Sequence, residues 1–458
     1  MKKALFICAL LAFGVQVSAQ GIFESNVSTA NSIVRVWHEG EGTVIIYNKE
    51  VSGTGTFLLY TVGNAVARKI DIPSGVSVKD FEIHDKDVWF CGEKSDPAYP
   101  GGRAGVVGTF NITSTFNGSG RINYTVLNMP IGGAGYDLYV RGLDRLDLFE
   151  HGQYIVLAMT GDNFIHDDLA QTRHTVVSAF FNPSAQLWHI DALFNKDSTA
   201  VFTDIAALNT IVTAVGTHID GNGLIAKSFY KSLLLPQNPT VSGLCDDILC
   251  DGPIGKAVIT HTINDQAAIA QFSKKTFTIL HRLDFASGVA VPATPTRITS
   301  TPPHTYSTPW EMQEIRFSQS NSAISVLEYG IDPAGTTFKT LLWTFHLSPT
   351  VWTLAPLQPF AIVRQASMDV NVNNRPVTVG MSLGSLNMDV HGFHPGTSPV
   401  THPLILPDAC SDYQEIPFSN TTPTVRPFPI DDIDVDYFFN NSIHHPTTSV
   451  INFNQICQ

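Results

Sequence analysis

Four carboxylates lie close together near the carboxyl end of the sequence: Asp431, Asp432, Asp434 and Asp436. Calcium is held by several oxygen ligands at one site, so this cluster is a candidate calcium site. In a β-strand, however, Asp432, Asp434 and Asp436 would share one face and the apolar residues between them would share the other. That alternation is typical of a half-exposed strand. The favoured interpretation is a chain with no metal and no cofactor, and calcium is the alternative.

Histidine and carboxylate side chains also lie close together in residues 161–175, which are predicted to form a long polar loop. Imidazole and carboxylate groups can hold zinc together, and in a loop they could contact a ligand. Their spacing matches no zinc motif, and sixteen histidines make chance neighbours common. The favoured interpretation is a solvated loop, in which His166, Asp168 and His174 remain candidates for ligand binding.

Exposed aromatic rings can stack on sugars, which makes the six tryptophans candidates for glycan binding. Trp89, Trp188 and Trp343 lie within strand-like alternation and are predicted to be core residues. Trp310 differs, because it ends a proline-rich connector and directly precedes Glu311. It is the best candidate for an exposed position at the rim of a ligand site.

Residues 380–384, Gly-Met-Ser-Leu-Gly, match the pattern of a nucleophilic serine on a sharp turn. That chemistry requires a strand that turns directly into a helix, so that the serine is lifted above a parallel sheet. The residues after Gly384 alternate as in another strand. A hairpin between two strands is therefore predicted, and no catalytic role is assigned to Ser382.

The first nineteen residues read as an export signal. Lys2 and Lys3 precede an apolar run at residues 4–17, and a small-residue cleavage site precedes Gln20. No later stretch has 18 uninterrupted apolar residues, so no membrane span is predicted. The sequence predicts an exported protein that is periplasmic, on the cell surface or extracellular.

The net charge of the chain limits the classes of molecule that it is expected to bind. Removing the signal takes away two lysines and no acid, so the formal net charge changes from −13 to −15. An acidic surface repels nucleic acids and anionic membranes. Glycans, peptides, proteins or divalent cations are the predicted partners, and the sequence does not indicate an oligomeric state.

Five cysteines remain after the signal, and in an oxidising compartment such residues form disulfides. Cys245 and Cys250 flank four residues of a turn-rich connector, and Cys410 and Cys457 bracket the C-terminal segment. Both pairs can bridge, the first closing a loop and the second pinning the tail, although the sequence leaves the connectivity open. Cys91 lies in a strand pattern and is predicted to be a buried thiol.

A recurring strand pattern organises the rest of the chain. Its clearest copy is residues 80–110, which read as strand, turn, strand, loop and strand. Three acid–glycine pairs are separated by twelve, twelve and eleven residues: Asp80–Gly92, Asp204–Gly216 and Asp369–Gly380. Looser copies begin near Asp147, Gly255 and Glu314. With an opening unit they make seven units, starting near residues 32, 78, 143, 202, 255, 311 and 365.

Units of this length fit about four antiparallel strands each. A unit of that size cannot bury a core alone, and closing the units into a ring leaves few exposed edges. We therefore predict an all-β chain in which residues 32–399 form a seven-bladed β-propeller. Residues 20–31 would lead into it, and part of residues 400–458 would pack back near the first unit. The alternative is a large β-sandwich, or two sandwiches, whose strands are alike in composition.

On the export signal and two strand pairs, VKDFEIHDKDVWFCG and FTDIAALNTIVTAVG, the chain resembles exported β-propellers of Bacteroidota-like bacteria that have no assigned activity. It lacks the Trp-Asp series of WD repeats, the double glycine of kelch repeats and the S-x-D-x-G-x-x-W turn of sialidases. No catalytic residue is carried over from any family.

Three functions are compatible with the sequence. The leading hypothesis is a secreted or surface-associated module that binds a glycan, peptide or protein, or serves as a scaffold. The second is a hydrolase or lyase on glycans or peptides, with carboxylates and histidines from several blades in the central channel. The third is a structural component of the cell envelope.

Overall fold

The structure is a computed structural model, and it describes the backbone at residues 22–28, 31–39, 42–49, 55–61, 66–127, 138–151, 154–165, 168–182, 187–195, 200–208, 211–218, 224–230, 242–245, 257–262, 275–281, 296–300, 311–318, 323–331, 338–347, 350–357, 363–370, 376–382, 387–391, 414–416, 418–421, 430–440, 442–451 and 453–457. It describes side chains at residues 55–57, 59, 68–99, 101–127, 140–148, 155–161, 181, 188, 205 and 442–451.

The described backbone is almost entirely strand. The first half contains β1 Ile22–Ser28, β2 Asn31–Glu39, β3 Gly42–Lys49, β4 Gly55–Thr61, β5 Val66–Asp71, β6 Val76–His84, β7 Asp87–Ser95, β8 Arg103–Asn111, β9 Ile122–Leu127, β10 Leu138–His151, β11 Tyr154–Ile165, β12 Asp168–Asn182, β13 Leu187–Asn195, β14 Ala200–Leu208, β15 Ile211–His218, β16 Leu224–Tyr230 and β17 Ser242–Cys245. Helical structure in this half is a 3-10 turn at Pro100–Gly102 and the single-turn helix α1 at Ile112–Phe116.

The second half continues with β18 Ala257–Thr262, β19 Lys275–His281, β20 Thr296–Ser300, β21 Glu311–Ser318, β22 Ala323–Ile331, β23 Phe338–Leu347, β24 Thr350–Leu357, β25 Val363–Val370, β26 Pro376–Ser382, β27 Asn387–His391, β28 Gln414–Ile416, β29 Phe418–Thr421, β30 Ile430–Asn440, β31 Ser442–His444, β32 Thr448–Ile451 and β33 Phe453–Cys457. Among the described residues, no helix is both long enough and apolar enough to cross a membrane.

Within the described part of the chain, these strands pair into seven antiparallel sheets. In strand order they are sheet 1 (β2-β3-β4-β5-β32), sheet 2 (β6-β7-β8-β9-β31), sheet 3 (β10-β11-β12-β13-β30), sheet 4 (β14-β15-β16-β17), sheet 5 (β18-β19-β20-β29), sheet 6 (β21-β22-β23-β24-β28) and sheet 7 (β25-β26-β27-β1-β33). The all-β prediction is confirmed for this part of the chain. The first three or four strands of each of these sheets are consecutive in the chain and adjacent in the sheet, which is the pairing that short connections favour.

The strands nearest the carboxyl end are distributed among six of the described sheets. We call β28 to β33 the C-terminal edge strands, because each one lies at the edge of the sheet that it joins. In chain order they join sheets 6, 5, 3, 2, 1 and 7, which is the reverse of the order in which the chain first builds these sheets. In sheet 7, β33 pairs with the N-terminal strand β1, so both ends of the described chain lie in one sheet.

We call the strand that opens each strand order above the first strand of its sheet; it lies at a sheet edge and contacts the first strands of two other sheets. The contacting pairs are β2 with β6, β6 with β10, β10 with β14, β14 with β18, β18 with β21, β21 with β25, and β25 with β2. The seven first strands therefore make a closed series of contacts.

A β-bulge interrupts the first hairpin of six sheets among the described residues. The residue that follows the skipped position, which we call the post-bulge residue, is Arg35, Asp80, Arg145, Asp204, Glu314 or Ser367 in sheets 1, 2, 3, 4, 6 and 7 respectively. Asp369, the acid of the third predicted acid–glycine pair, lies two residues beyond this position. Its alignment with Asp80 is therefore wrong, because the bulge and not the spacing from the glycine sets the equivalence.

The glycines of the repeat lie opposite the residue before the bulge, and the backbone leaves no room there for a side chain. Gly92 pairs with Val78, and a Cβ on it would overlap the carbonyl oxygen of Ser77. Gly161 pairs with Leu143, and its Cβ would overlap the carbonyl oxygen of Gly142 in the same way. The recurring glycine is thus required by the close approach of the bulged strand.

The side chain of Asp80 links sheet 2 to sheet 3. It is 2% exposed, and one carboxylate oxygen accepts a hydrogen bond from its neighbour Phe81 N–H at 2.9 Å. The other oxygen accepts from Leu146 N–H of β10, also at 2.9 Å. Because β6 and β10 are first strands at sheet edges, some of their N–H groups have no ladder partner, and a buried carboxylate can satisfy them.

Strand β7 is buried on both faces, which explains its unbroken apolar run. Phe90 faces sheet 1, where its ring centroid lies 5.8 Å from that of Phe57. Trp89 faces sheet 3, where it packs edge-on against Trp188 at 5.9 Å. Cys91 belongs to the same cluster as Trp89 and is fully buried, as the sequence predicted. Sheet 2 is therefore held between two apolar clusters, and its sheet faces are core.

The predicted loop at residues 161–175 is wrong. Strands β11 and β12 run through most of it and pair with each other from Ile155 opposite Phe181 to Ile165 opposite Asp168. The polar residues that suggested a loop belong to a long hairpin, and polar side chains are compatible with strand wherever pairing continues.

Gly92→Ala is expected to lower the free energy of unfolding by about 3 kcal/mol or more, because the new methyl group would push β6 and β7 apart. The matched control is Gly102→Ala, where nothing lies within 4 Å of a Cβ but φ is +76°. That change is expected to cost only about 1 kcal/mol. Urea denaturation of both variants measures the difference, and equal losses would show that the close approach at Gly92 is unimportant.

Deleting residues 405–458 is expected to abolish cooperative thermal unfolding. The deletion removes all six C-terminal edge strands, including β33, and so exposes the backbone edges that they cover. Circular dichroism and calorimetry of the truncated protein are the measurements. A melting curve identical to that of the full chain would mean that these strands contribute no stability.

Candidate functional site

The structure describes the backbone at two of the four predicted ligand-binding residues, Asp168 and His174. Trp310 and His166 lie outside the described residues. Asp168 is the first residue of β12, opposite Ile165, and His174 lies within the same strand opposite Asp162. Asp168 is thus placed at the hairpin end and His174 well inside the sheet, and the shared loop that motivated the group is not present.

The predicted strand over the aspartate cluster is confirmed, since Asp432, Asp434 and Asp436 all belong to β30. Its alternation is not regular, because the pairing with β13 shifts between Ile433 and Tyr437. The side chains of the three aspartates lie outside the described side chains, so their position on one face stays a prediction. Among the side chains that the structure describes, no three metal-ligating groups lie close enough together to hold an ion.

The cysteine pairings remain predictions. Cys245 ends β17, and Cys457 ends β33 opposite Ile22 of β1. Cys250 and Cys410 lie outside the described residues. A bridge from Cys410 to Cys457 would join the chain just before β28 of sheet 6 to the last strand of sheet 7.

The serine motif has the predicted hairpin context. Gly380 and Ser382 lie in β26, which pairs antiparallel with β27. A strand follows the motif where the nucleophilic turn would require a helix. Ser382 therefore keeps no catalytic assignment.

A charged network lies at one end of sheet 2. Arg103 Nη1 lies 3.0 Å from Glu93 Oε2, and Lys79 Nζ lies 3.7 Å from Glu93 Oε1. The Glu93 side chain is 17% exposed, whereas those of Arg103 and Lys79 are 33% and 37% exposed. Glu93 thus holds two partly exposed cations at the surface, and cationic N–H groups form strong hydrogen bonds with hydroxyl, carbonyl or carboxylate oxygens.

Two loops adjoin this network, and backbone hydrogen bonds hold each of them. The loop at residues 72–75 connects sheets 1 and 2, and its Gly75 carbonyl accepts a hydrogen bond from Ser95 N–H at 3.0 Å. The loop at residues 96–102 is closed by Asp96 N–H donating to the Gly102 carbonyl at 3.0 Å. Asp96 Oδ1 also accepts from Ala98 N–H at 2.9 Å. We call these two loops, together with Lys79, Glu93 and Arg103, the loop face of sheet 2.

The chemistry of the loop face suits recognition of oxygen-rich, uncharged or weakly acidic groups. The network carries one net positive charge in an otherwise acidic chain. The loops expose Pro97 and Ala98 and half-bury Tyr99, which places apolar surface beside charged donors. Apolar surface with a few fixed polar groups is the usual composition of a ligand-binding surface.

A second polar cluster lies where the C-terminal edge strands pass from sheet 2 to sheet 1. Asp71 accepts from Thr56 Oγ1 at 3.2 Å and lies 3.5 Å from Lys69 Nζ. Its backbone N–H donates to the Thr447 carbonyl at 3.5 Å, which fixes the crossing segment. Burial lowers the pKa of His444 below its ordinary value of 6.5, and His445 also lowers it, whereas Asp71 acts in the opposite direction.

No sequence pattern indicated either cluster. Lys79, Glu93 and Arg103 come from three strands, and only the pairing of β6 with β7 and of β7 with β8 brings them together. One local signal for the first cluster is present in β7. Its apolar run ends at Gly92, Glu93 and Lys94, which indicates that the strand leaves the core there. Nothing local connects Asp71 to residues more than 370 positions away.

No protein-family model matches the chain, and no curated protein matches it.

The wild-type protein is expected to lose stability as the pH falls below about 6.5. The folded state disfavours the His444 imidazolium, so the unfolded state binds the proton first and acid favours unfolding. Thermal melts at about pH 7.5 and about pH 5.5 should show a smaller difference for His444→Gln than for wild type. His445→Gln, at the exposed neighbour, is the control and should retain most of the wild-type difference. If the difference in Tm between the two pH values is unchanged in His444→Gln, protonation of His444 does not cause the loss of stability in acid.

Proposed function

We propose that the seven sheets are the blades of a seven-bladed β-propeller, and that this exported protein is a binding or scaffold module for a glycan, peptide or protein. The observation that carries the fold is the closed series of contacts among the seven first strands. In a propeller the first strand of every blade lies next to the central axis and touches the first strands of both neighbours.

The distribution of the chain ends also supports a ring. Sheet 7 is built from β25, β26 and β27 together with β1 from the N-terminal end and β33 from the C-terminal end. A closed ring requires an interaction that holds its last blade to its first. Hydrogen bonding between strands from both ends of the chain in one blade is such an interaction. A pair of sandwiches would instead leave sheets 1 and 7 in different bodies, whereas β2 and β25 are in contact.

A binding role is supported by the loop face of sheet 2. Its loops are held by backbone hydrogen bonds, and its charged groups are partly exposed and positioned by Glu93. A surface that is already ordered loses little conformational entropy when a ligand binds. Corresponding ends of neighbouring blades would lie on the same side of the ring, so a ligand could contact several blades at once.

A catalytic role is the competing hypothesis. It requires acid, base or nucleophilic groups from several blades that meet near the axis of the ring. A binding test must therefore also measure turnover, because many propeller folds host unrelated functions and fold alone does not choose between them.

A panel of glycans and peptides, tested for both binding and chemical change, examines the proposal with the mature chain from Gln20. We expect at least one class of ligand to bind without being altered. Arg103→Ala should weaken that binding about tenfold or more, because it removes charged hydrogen-bond donors from the loop face. Arg121→Ala is the matched control, since this exposed arginine lies at the opposite end of sheet 2.

Two outcomes would overturn the proposal. Cleavage of the bound ligand by the wild-type protein would make the chain an enzyme. Equal losses of affinity in Arg103→Ala and Arg121→Ala would show that the ligand does not bind at the loop face.

A further inference from the structure

The post-bulge position carries a pattern that the repeat spacing does not reveal. In sheets 1 to 4 the residue alternates in charge: Arg35, Asp80, Arg145 and Asp204. Sheet 6 has Glu314, so the acids fall in sheets 2, 4 and 6. Sheets 1, 3 and 7 have a basic or neutral residue at this position.

Asp80 shows what an acid does at this position. Its carboxylate accepts from Phe81 N–H in its own strand and from Leu146 N–H in the next sheet, both at 2.9 Å. Leu146 directly follows Arg145, which is the post-bulge residue of sheet 3. One carboxylate therefore serves the amide after the bulge in two consecutive sheets, and sheet 3 needs no acid of its own.

We propose that the recurring acid is an interlock between consecutive sheets, so that Asp204 joins sheet 4 to sheet 5 and Glu314 joins sheet 6 to sheet 7, as Asp80 joins sheet 2 to sheet 3. The first strands in each pair are in contact. The residues that follow these acids, Ile205 and Ile315, are apolar like Phe81. The amide predicted to depend on Glu314 is that of Met368, which follows Ser367 as Leu146 follows Arg145.

The junction between sheets 7 and 1 differs, because Ser367 is the post-bulge residue of sheet 7. This is also the sheet that contains strands from both ends of the described chain. The terminal strands thus lie at a junction where sheet 7 supplies no post-bulge carboxylate. The junctions that follow sheets 1 and 3 also receive no carboxylate from the earlier sheet, because those sheets have Arg35 and Arg145 at this position.

The test compares neutralised acids at and away from the post-bulge position in the full mature chain. Glu314→Gln and Asp204→Asn are expected to lower the Tm by about 2–4 °C, as is Asp80→Asn. Glu311→Gln and Asp369→Asn are the controls, because they remove acids from the first strands of sheets 6 and 7 at other register positions. The controls are expected to change the Tm by less than about 1 °C.

Amide hydrogen exchange gives a second measurement on folded protein. Exchange at Met368 should become about tenfold faster in Glu314→Gln, and exchange at Leu146 should do so in Asp80→Asn. Asp80→Glu, which keeps the charge, replaces Asp80→Asn if the latter does not fold, and should retain most of the protection. The proposal is overturned if Glu314→Gln and Asp204→Asn match the controls in both measurements.

Discussion

The contact between the Asp80 carboxylate and the Leu146 amide determines how sheets 2 and 3 meet. It is buried between two first strands, where a polar group without a partner would be costly. The bulge before Asp80 allows this geometry, because it turns a side chain in the middle of a strand toward the neighbouring sheet. The bulge in turn requires Gly92, since any side chain there would overlap the carbonyl oxygen of Ser77. Acid, bulge and glycine are therefore parts of one arrangement.

Apolar packing supplies most of the cohesion around that polar contact. Phe57 and Phe90 pack between sheets 1 and 2, and Trp89 and Trp188 pack between sheets 2 and 3. Such clusters are strong but nondirectional, since hydrophobic burial scales with area. A directional hydrogen bond beside them fixes which strand of one sheet faces which strand of the next. The C-terminal edge strands complete the arrangement by covering the edges farthest from the first strands.

The candidate binding surface follows from the same plan. Because both faces of sheet 2 are core, variable polar groups can occur only at the strand ends and in the connections. Lys79, Glu93 and Arg103 meet at one such end, next to loops fixed by hydrogen bonds. The aspartates of β30 and His174 of β12, which were candidates for sites on the sequence, are residues of paired strands.

The sequence alone determined the all-β class, the strand–turn–strand pattern around Asp80 and the burial of Cys91, because period-two alternation and glycine punctuation are local signals. It misplaced the repeat at Asp369, since a bulge shifts register without changing local composition. The tertiary structure alone decided that Asp80 bonds to Leu146, that His444 lies near Asp71 and that Arg103 meets Lys79 through Glu93. Each of these depends on strands that are distant in sequence, and their register is set by core packing that no local pattern encodes.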